Sequence, residues 1–378
     1  MVDPQLVRLR LLAQGLVNPA AESPRDVVAG LGAMQGQDLP GVISSIALRL
    51  GSSPDQSLIE RVISGFNDGA VVRGYPMRGT VFAVAAGDLA WMTELCASGP
   101  LKAQTRRRSL LGLDQTQVDL ARELLEGSAA ATPQGISRAD LFALWDEAGM
   151  SSAGGRGYHV LSHLIAHRVA CYGPWNGQDN NVVLAQTWLP PDSTITDRFD
   201  GDNVAATAAM LVRYLTGHGP ATLRDFSWWT KLSLVAVRKA FTLVEDDVET
   251  HRSLDDPAGE ARYFRPGLMD EAALVGAGLD ATYLLPGFDE IVLGYPDRLV
   301  LLPDEHHGHL VPGNNGMFQK CIIRKGSIIG TWKRGGRPGK RTFEINAFMP
   351  LSKAVAREAE EVNRRFPHAT RRAETTET

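Results

Sequence analysis

Cysteine, long apolar runs and net charge are all scarce in this 378-residue sequence. Its three cysteines lie far apart with no Cys-x-x-Cys spacing, so neither a disulfide framework nor a zinc ribbon is predicted. No apolar run approaches the roughly 20 residues that span a bilayer, and the N-terminal residues lack the basic-then-apolar pattern of a signal peptide. These absences predict a cytoplasmic protein that contacts no membrane, and the length predicts about two or three domains.

Two motifs of common enzyme classes are also missing. The sequence has no Gly-x-x-x-x-Gly-Lys, which cradles nucleotide phosphates, and no Gly-x-Ser-x-Gly, which places the nucleophile of many hydrolases. Residues 335–340 contain three glycines and a lysine, but in the wrong spacing for a phosphate loop. We therefore expect no bound cofactor.

Acidic residues are absent from residues 306–343, although the whole chain carries a net charge of −4. A negative net charge is unusual for a nucleic-acid binder, since Lys and Arg supply most of the affinity for duplex DNA. The acid-free stretch favours an anionic partner locally, whereas the short run 106–108 is equally consistent with a solvated basic face. The basic residues of the stretch are Lys320, Arg324, Lys325, Lys333, Arg334, Arg337, Lys340 and Arg341.

Three segments of the chain share one pattern, in which a capped helix, a turn and a second helix precede β-type sequence. The predicted N-caps are Ser23, Ser137 and Thr222. Helices followed by a β-hairpin predict an α+β, mainly helical fold of tandem winged helix-turn-helix motifs, with a β-rich C-terminal part. The predicted units are residues 1–95, residues 96–200 and residues 201–365, the last with the β-rich basic region, followed by a disordered tail at 366–378.

Two glutamines bracket a glycine in the predicted turn of the first unit, at Gln35, Gly36 and Gln37. A glutamine side chain donates and accepts hydrogen bonds but does not titrate near neutral pH. The pair therefore indicates a site that holds a water or a base edge rather than one that moves protons. Asp38, which follows, is the predicted N-cap of the next helix.

Histidines occur in two clusters. His159, His163 and His167 recur every fourth residue along one predicted helix, a spacing that can bind zinc, but no His-Glu-x-x-His pattern is present. A polar or DNA-facing helix edge is the better interpretation, and no metal is predicted there.

The second cluster comprises His306, His307 and His309, which precede the glycine- and asparagine-rich residues 312–316. We expect a hairpin that presents these histidines to a phosphate or a flipped base. A metal site and a purely structural loop remain as alternatives for this cluster.

Two adjacent carboxylates, Asp289 and Glu290, follow an apolar run. Paired acids can perform acid–base chemistry on a glycosidic bond. Neighbouring residues of a strand point to opposite faces, however, so only one of the two could line a site. The competing interpretation is that one of them pairs with a buried arginine.

Six short segments occur in an order that points to a known family. They are Gln35–Gln37, Arg78–Thr80, Gly219–Thr222, Phe288–Glu290, Gly294–Tyr295 and Gly330–Trp332. Together they resemble the AlkZ-like family of actinobacterial winged-helix DNA glycosylases, along nearly the whole chain. The resemblance implies tandem winged-helix motifs around a concave DNA-binding channel, and excision of bulky or crosslinked alkylpurines in repair or in self-resistance to a DNA-alkylating natural product. It also implies that the Gln-x-Gln pair, Gln35 and Gln37, is catalytic, with Gly36 where the family usually has an aliphatic residue.

The chemistry implied by this resemblance needs no strong base. A purine alkylated at N7 or N3 is cationic and already a good leaving group, so two amides that position a water are sufficient. The expected function is that of a monofunctional, monomeric DNA glycosylase acting on duplex DNA with cationic alkylpurines. Asp38 and Asp289 are possible supporting residues. The predicted DNA contacts are Arg73, Arg78, His306, His307, His309, Arg324, Lys325, Lys333, Arg334 and Arg337.

Two other functions fit parts of the pattern. A non-catalytic winged-helix DNA-binding protein or transcriptional regulator would use the same helices, although such proteins usually act as dimers on two half-sites. A hydrolase with a metal held by the histidine clusters is the third alternative.

Overall fold

The computed structural model describes residues 2–51, 55–336 and 340–369, in which helices alternate with short antiparallel strands. One order of elements occurs three times along the chain: a helix, a short extended segment, two further helices and two paired strands. The predicted mixture of helices and antiparallel sheets is therefore confirmed. No helix in these ranges is both long and apolar enough to cross a membrane.

The first repeat spans residues 24–85. Its elements, with the preceding helix, are α1 (Pro4–Ala13), α2 (Pro24–Leu31), β1 (Met34–Gln35), α3 (Leu39–Ala47), α4 (Ser57–Asn67), β2 (Val71–Gly74) and β3 (Phe82–Ala85). Helix α2 begins as predicted, because Ser23 Oγ accepts a backbone N–H of the first turn at 3.2 Å and Pro24 occupies the first helical position. Strand β1 pairs with β3, with Gln35 opposite Phe82. Gln35 therefore lies in a sheet rather than in the predicted turn.

The second repeat spans residues 115–184. The elements from the end of β3 onward are α5 (Ala86–Cys96), α6 (Ser98–Leu110), α7 (Gln115–Ala130), α8 (Arg138–Glu147), α9 (Arg156–Ala166), β4 (Ala170–Trp175) and β5 (Asn180–Leu184). Ser137 caps α8 as predicted, and Ile136 forms an isolated bridge with Val182 of β5. Strand β4 pairs with β2, so the first two repeats share one five-stranded sheet in the order β1-β3-β2-β4-β5.

The third repeat spans residues 203–264. Its elements and the two short helices before it are α10 (Ala185–Trp188), α11 (Ile195–Phe199), α12 (Asn203–His218), α13 (Leu223–Thr230), α14 (Leu234–Phe241), β6 (Glu249–Thr250) and β7 (Tyr263–Phe264). Thr222 caps α13 as predicted, and it forms a reciprocal cap with Asp225, in which each side chain accepts a backbone N–H of the other residue. Ala221 bridges to Tyr263, as Ile136 bridges to the last strand of the second repeat.

The C-terminal part contains a second antiparallel sheet. Its elements are α15 (Leu268–Val275), β8 (Thr282–Leu285), α16 (Glu290–Leu293), α17 (His307–Leu310), β9 (Cys321–Arg324), β10 (Ser327–Gly335), β11 (Thr342–Ala347) and α18 (Lys353–Arg365). The strand order is β11-β10-β9-β8, and α18 packs against β8. The short helix α16 lies next to β1 of the first sheet. This contact brings residues 289–290 to the Gln-Gly-Gln segment.

The start of the predicted disordered tail is ordered, which corrects the expectation for residues 366–369. Phe366 is buried and packs edge-to-face on Trp332, with the ring centroids 5.0 Å apart. The backbone N–H of Ala369 donates to Ser44 Oγ at 3.1 Å. An aromatic side chain that fills an apolar site holds this segment in place. Residues 370–378 of that predicted tail lie outside the described residues.

Candidate active site

The Gln-Gly-Gln segment is held by the backbone on both sides of the glycine. Gly36 N–H donates to Val81 O at 2.9 Å, and Gly36 O accepts from Arg73 Nε at 3.2 Å. Gln35 is buried, whereas Gln37 is exposed at the surface. One amide is therefore shielded from solvent and the other is accessible to it.

Glycine at position 36 has a packing reason. A Cβ atom there would lie 3.1 Å from both Phe82 C and Ala83 N, which are backbone atoms of β3, and 3.4 Å from Arg73 Nε. Backbone atoms of a paired strand cannot move aside as a flexible side chain can. Gly36 thus permits the close approach of β1 to β3, and the segment is firmly held without an aliphatic residue at this position.

A buried carboxylate lies behind Gln35. The backbone N–H of Gln35 donates to Glu290 Oε1 at 2.6 Å, and His218 Nε2 lies 3.4 Å from Glu290 Oε2. Both Glu290 and His218 are fully buried, and burial lowers the pKa of His218 although Glu290 opposes this shift. Glu290 therefore brings a carboxylate directly to the Gln-Gly-Gln backbone.

Asp289, which the sequence singled out as a supporting residue, has a different environment. Its Oδ1 and Oδ2 accept from Arg49 at 2.8 and 2.9 Å, and Oδ2 also accepts from Ser45 Oγ at 2.5 Å. Burial raises the pKa of Asp289, but Arg49 and these hydrogen bonds outweigh burial and hold it below its usual range. Asp289 is thus the partner of a buried arginine and also caps α16, while its neighbour Glu290 reaches the site.

One polar atom of the site lacks a protein partner. Gln35 Oε1 is buried and accepts no hydrogen bond from any described residue. Buried amide oxygens are nearly always hydrogen-bonded to protein or to ordered water. This acceptor is therefore available to a water molecule or a substrate group next to Glu290.

Asp38 occupies the N-cap position of α3, but its side chain does not make the predicted cap hydrogen bond. Its carboxylate instead lies over Gly41, where a Cβ atom would come within 2.6 Å of Asp38 Oδ2, and faces Gly287. Lys320 lies within electrostatic reach of this carboxylate. Asp38 is therefore directed towards the loop before α16, on the same side as the candidate site.

Arg78 approaches the site from the loop between β2 and β3. Its guanidinium lies between the rings of Phe82 and Trp228, 5.0 and 5.1 Å from their centroids. Burial lowers the pKa of Arg78, and the negative charge of Glu290 opposes that effect. The predicted DNA contact at Arg78 thus lies beside the Gln35–Glu290 pair.

Arg73 does not have the predicted role of a DNA contact. Its side chain is buried, and it forms an ion pair with Asp179 at 3.1 Å and donates to Asn180 Oδ1 at 2.7 Å. Together with the hydrogen bond to Gly36 O, these contacts use the guanidinium inside the first sheet. A buried guanidinium with a carboxylate partner cannot also neutralise a phosphate. Arg73 instead positions the Gln-Gly-Gln segment through its hydrogen bond to Gly36 O.

Two of the four described basic contacts predicted in the C-terminal part form ion pairs. Arg324 contacts Glu358 at 3.4 Å, and Lys333 contacts Glu344 at 2.9 Å across β10 and β11. Lys325 is exposed in the turn between β9 and β10, and Arg334 is exposed on β10, where burial and Arg341 lower its pKa. Arg337, another predicted contact, lies outside the described residues.

The predicted hairpin at residues 306–309 is wrong, because these residues form helical turns that end in α17. The ring of His306 stacks on Phe348, with the centroids 4.6 Å apart, and His309 lies 5.5 Å from the same ring. His307 precedes His309 in α17. Aromatic packing therefore accounts for this cluster better than presentation to a phosphate.

The helical histidines face other cations. His163 Nε2 lies 2.9 Å from Arg108, and burial, with the charges of His167 and Arg108, lowers the pKa of His163 to about 3. Within the described ranges, no three His, Cys, Asp or Glu side chains are grouped so that they could hold a metal ion. The structure therefore offers no support for a metal-dependent hydrolase at this helix.

Known proteins resemble this chain over nearly its full length. A family model described as DNA glycosylase AlkZ-like matches residues 28–368. The interstrand DNA cross-link repair glycosylase of Streptomyces sahachiroi is 26% identical over 342 residues, which cover 87% of each chain. The solved structure of Streptomyces sahachiroi DNA glycosylase AlkZ matches with a TM-score of 0.70 and 21% identity, covering 98% of this chain and 97% of that one. The structural match shows a common fold.

Proposed function

Because the chain belongs to the AlkZ-like DNA glycosylase family, whose enzymes hydrolyse N-glycosidic bonds, we propose that it excises cationic N7- or N3-alkylpurines from duplex DNA. The observation that carries this proposal is the buried, unpartnered Gln35 Oε1 next to the exposed Gln37. The two amides orient the attacking water between them. Neither glutamine needs to gain or lose a proton, and none has to be supplied to a leaving group that is already positively charged.

The reaction balances without a general acid. The glycosidic bond breaks with its electron pair going to the cationic purine, which leaves neutral, and the water oxygen bonds to C1′ and releases a proton to solvent. Positive charge develops on the sugar during this step. Glu290, whose Oε1 lies 2.6 Å from Gln35 N, stabilises that charge from behind the Gln-Gly-Gln backbone. The protein acts as a monofunctional glycosylase, since no amine nucleophile is required.

The three repeats of helix, short strand, two helices and two strands support an arrangement of three winged helix-turn-helix units around a concave DNA-binding channel. In this proposal α4, α9 and α14 are the second helices of the three motifs, and the paired strands after them are the wings. The units correspond to residues 1–95, residues 96–200 and residues 201–365. A monomer in the cytoplasm is sufficient, because a single chain supplies all three units.

The lesions are proposed to be bulky or crosslinked alkylpurines. Streptomyces sahachiroi has a related enzyme that is named for interstrand DNA cross-link repair. Gln37 and Asp38 lie at the surface end of the site rather than in an enclosed pocket, which suits an adduct that cannot be fully extruded from the helix. The physiological role is repair or self-resistance to a DNA-alkylating natural product.

The experiment that tests the proposal is single-turnover release of an N7-alkylguanine from duplex DNA. Gln37→Ala should slow release by on the order of 10²-fold, because it removes a group that acts only on the attacking water. Gln134→Ala, at another exposed glutamine, is the matched control. Equal rates in wild type and Gln37→Ala would overturn the assignment, and DNA binding without release in wild type would favour a non-catalytic DNA-binding protein.

A further inference from the structure

Three cations near the candidate active site are unpaired. In the described part of the chain, none of Arg78, Lys231 and Arg298 forms an ion pair, and each lies over an aromatic ring instead. This distinguishes them from Arg73, which pairs with Asp179, and from Arg324, which pairs with Glu358. An unpaired cation is the form in which a protein presents charge to an anionic ligand.

Arg78 and Lys231 lie on one aromatic ring. The Trp228 ring is 5.1 Å from Arg78 Cζ and 5.0 Å from Lys231 Nζ, so a single indole orients both cations. Both residues have a left-handed backbone, with φ of 56° and 66°. At Lys231 this conformation ends helix α13, as a left-handed C-cap commonly does, and at Arg78 it lies in the loop between β2 and β3.

Arg298, in the C-terminal part, lies within electrostatic reach of Arg78. Its Cζ lies 4.9 Å from the centroid of the Phe318 ring, and Phe318 packs edge-to-face on Phe288, which directly precedes Asp289. Arg298 Nε is buried and has no hydrogen-bond partner among the described residues. A donor of this kind is available to a ligand acceptor.

The positive charge of Arg78 acts on both of the other cations. Burial lowers the pKa of Arg298 and of Lys231, and in each case the next cause is the positive charge of Arg78. Glu290 raises the pKa of Arg78 and Asp297 raises that of Arg298, but neither carboxylate forms an ion pair with these cations, so repulsion between the like charges raises the energy of the unbound protein. An anion placed among them removes that repulsion and gains charge-assisted hydrogen bonds.

We propose that Arg78, Lys231 and Arg298 form one phosphate-binding site, which holds the sugar–phosphate backbone of the nucleotide whose glycosidic bond is cleaved. Trp228 and Phe318 orient the cations, and Arg78 Cζ also lies 5.0 Å from the ring of Phe82, the strand partner of Gln35. Holding that phosphate fixes C1′ relative to the Gln-Gly-Gln segment, so the site serves positioning as well as affinity. The inference rests on the proposed function in taking DNA as the ligand and in placing the cleaved nucleotide at the Gln-Gly-Gln segment.

The first test measures binding to duplex DNA that contains one tetrahydrofuran abasic analogue, which has no base to release. Arg298→Ala and Lys231→Ala should each weaken binding roughly tenfold and reduce the slope of log K against log[salt] by about 1. Arg25→Ala, which removes an exposed arginine of α2, is the control and should leave both quantities unchanged. Thermal melting shows that each variant is folded, and Lys231 is exposed enough to be removed without disturbing the core. Unchanged slopes in both folded variants overturn the proposal.

The second test identifies the phosphate. Single phosphates near the abasic analogue are replaced by neutral methylphosphonate, one position at a time, and wild type is compared with Arg298→Ala. We expect one methylphosphonate next to the analogue to weaken binding by wild type but to cause no further weakening in Arg298→Ala, which already lacks the contact. If the methylphosphonate weakens both proteins equally at every position, the phosphate contact is overturned. Because neither readout depends on base release, a protein that binds in this way but releases no base would refute the proposed activity and not the phosphate site.

Discussion

The backbone N–H of Gln35 donates a hydrogen bond of 2.6 Å to Glu290 Oε1, although the two residues are 255 positions apart in the chain. This contact joins the first sheet to the C-terminal part at the candidate active site. The buried carboxylate of Glu290 thereby contacts Gln35, which directly precedes Gly36 and lies two positions before Gln37. The two glutamines, which do not transfer protons themselves, therefore have a negative charge nearby.

Removing the negative charge of Glu290 should slow base release. Glu290→Gln keeps the shape and an acceptor for Gln35 N–H but removes the charge opposite the developing sugar cation, so we expect a rate loss on the order of 10²-fold. The measurement is single-turnover base release at one pH. Glu305→Gln, at a carboxylate whose side chain is 78% exposed, is the control. A folded Glu290→Gln variant with the wild-type rate would exclude an electrostatic role for Glu290.

Adding one methyl group at Gly36 should disturb both stability and activity. In Gly36→Ala the Cβ atom would meet the backbone of Phe82 and Ala83 at 3.1 Å, so we expect a loss of about 1–3 kcal/mol in the free energy of unfolding and slower base release. Gly127→Ala in α7 adds the same group where no atom lies within 4 Å. That control should change stability by no more than about 1 kcal/mol, in the stabilising direction. Equal effects of the two substitutions in chemical denaturation would show that β1 and β3 are not tightly packed.

The Arg49–Asp289 pair should be structural. Both side chains are buried, so Arg49→Met leaves the Asp289 carboxylate without its cation and should cost about 3–5 kcal/mol of unfolding free energy. Arg122→Met removes an exposed arginine from its pair with Glu126, and that loss should stay below about 1 kcal/mol. Denaturant titration of the two variants measures the difference. Similar midpoints would mean that the buried pair contributes no more than a surface pair.

Stability should fall as the pH is lowered from about 6.5, the ordinary pKa of histidine. Burial, His167 and Arg108 lower the pKa of His163 to about 3 in the folded protein, so the unfolded chain binds its proton first. The contribution of neutral His163 is therefore fully present above about pH 6.5 and decreases continuously toward pH 3. His368, whose pKa burial and Arg334 lower to about 4, acts in the same direction.

The measurement is the melting temperature between pH 4.5 and 7.5, a range in which Asp289 with its lowered pKa stays ionised. His163→Gln should make the curve flatter than that of wild type. His307→Gln replaces a histidine outside this helix and should leave the slope unchanged. Parallel curves for wild type and His163→Gln would refute the assignment of the effect to His163.

Local capping chemistry could be predicted from the sequence, because it depends on neighbours three residues apart. Ser23, Ser137 and Thr222 all cap the helices predicted for them. Asp38 also occupies its predicted N-cap position, yet its side chain does not make the cap hydrogen bond. Its carboxylate faces Gly287, a residue from a distant part of the chain, and no local pattern contains that contact.

The same limit explains the errors among the charged residues. Arg73 and Arg78 lie five positions apart and have the same chemistry, but Arg73 is buried against Asp179 while Arg78 remains without a carboxylate partner. Asp289 and Glu290 are adjacent, and the sequence predicts that only one of them could line a site without showing which one. Arg298, Lys231 and Trp228 were not singled out, since nothing in their local sequence marks them as members of one cluster.

By itself, the sequence determined the starts of three capped helices, the mixture of helices and antiparallel strands and, through an ordered set of short motifs, the family. These properties depend on residue periodicity and on contacts within a few positions. The tertiary structure alone decided that Glu290 rather than Asp289 lies behind Gln35, that Gly36 is held between Val81 and Arg73, and which arginines keep their charge unpaired. The physical reason is that burial and pairing of a charge depend on residues that only folding brings together.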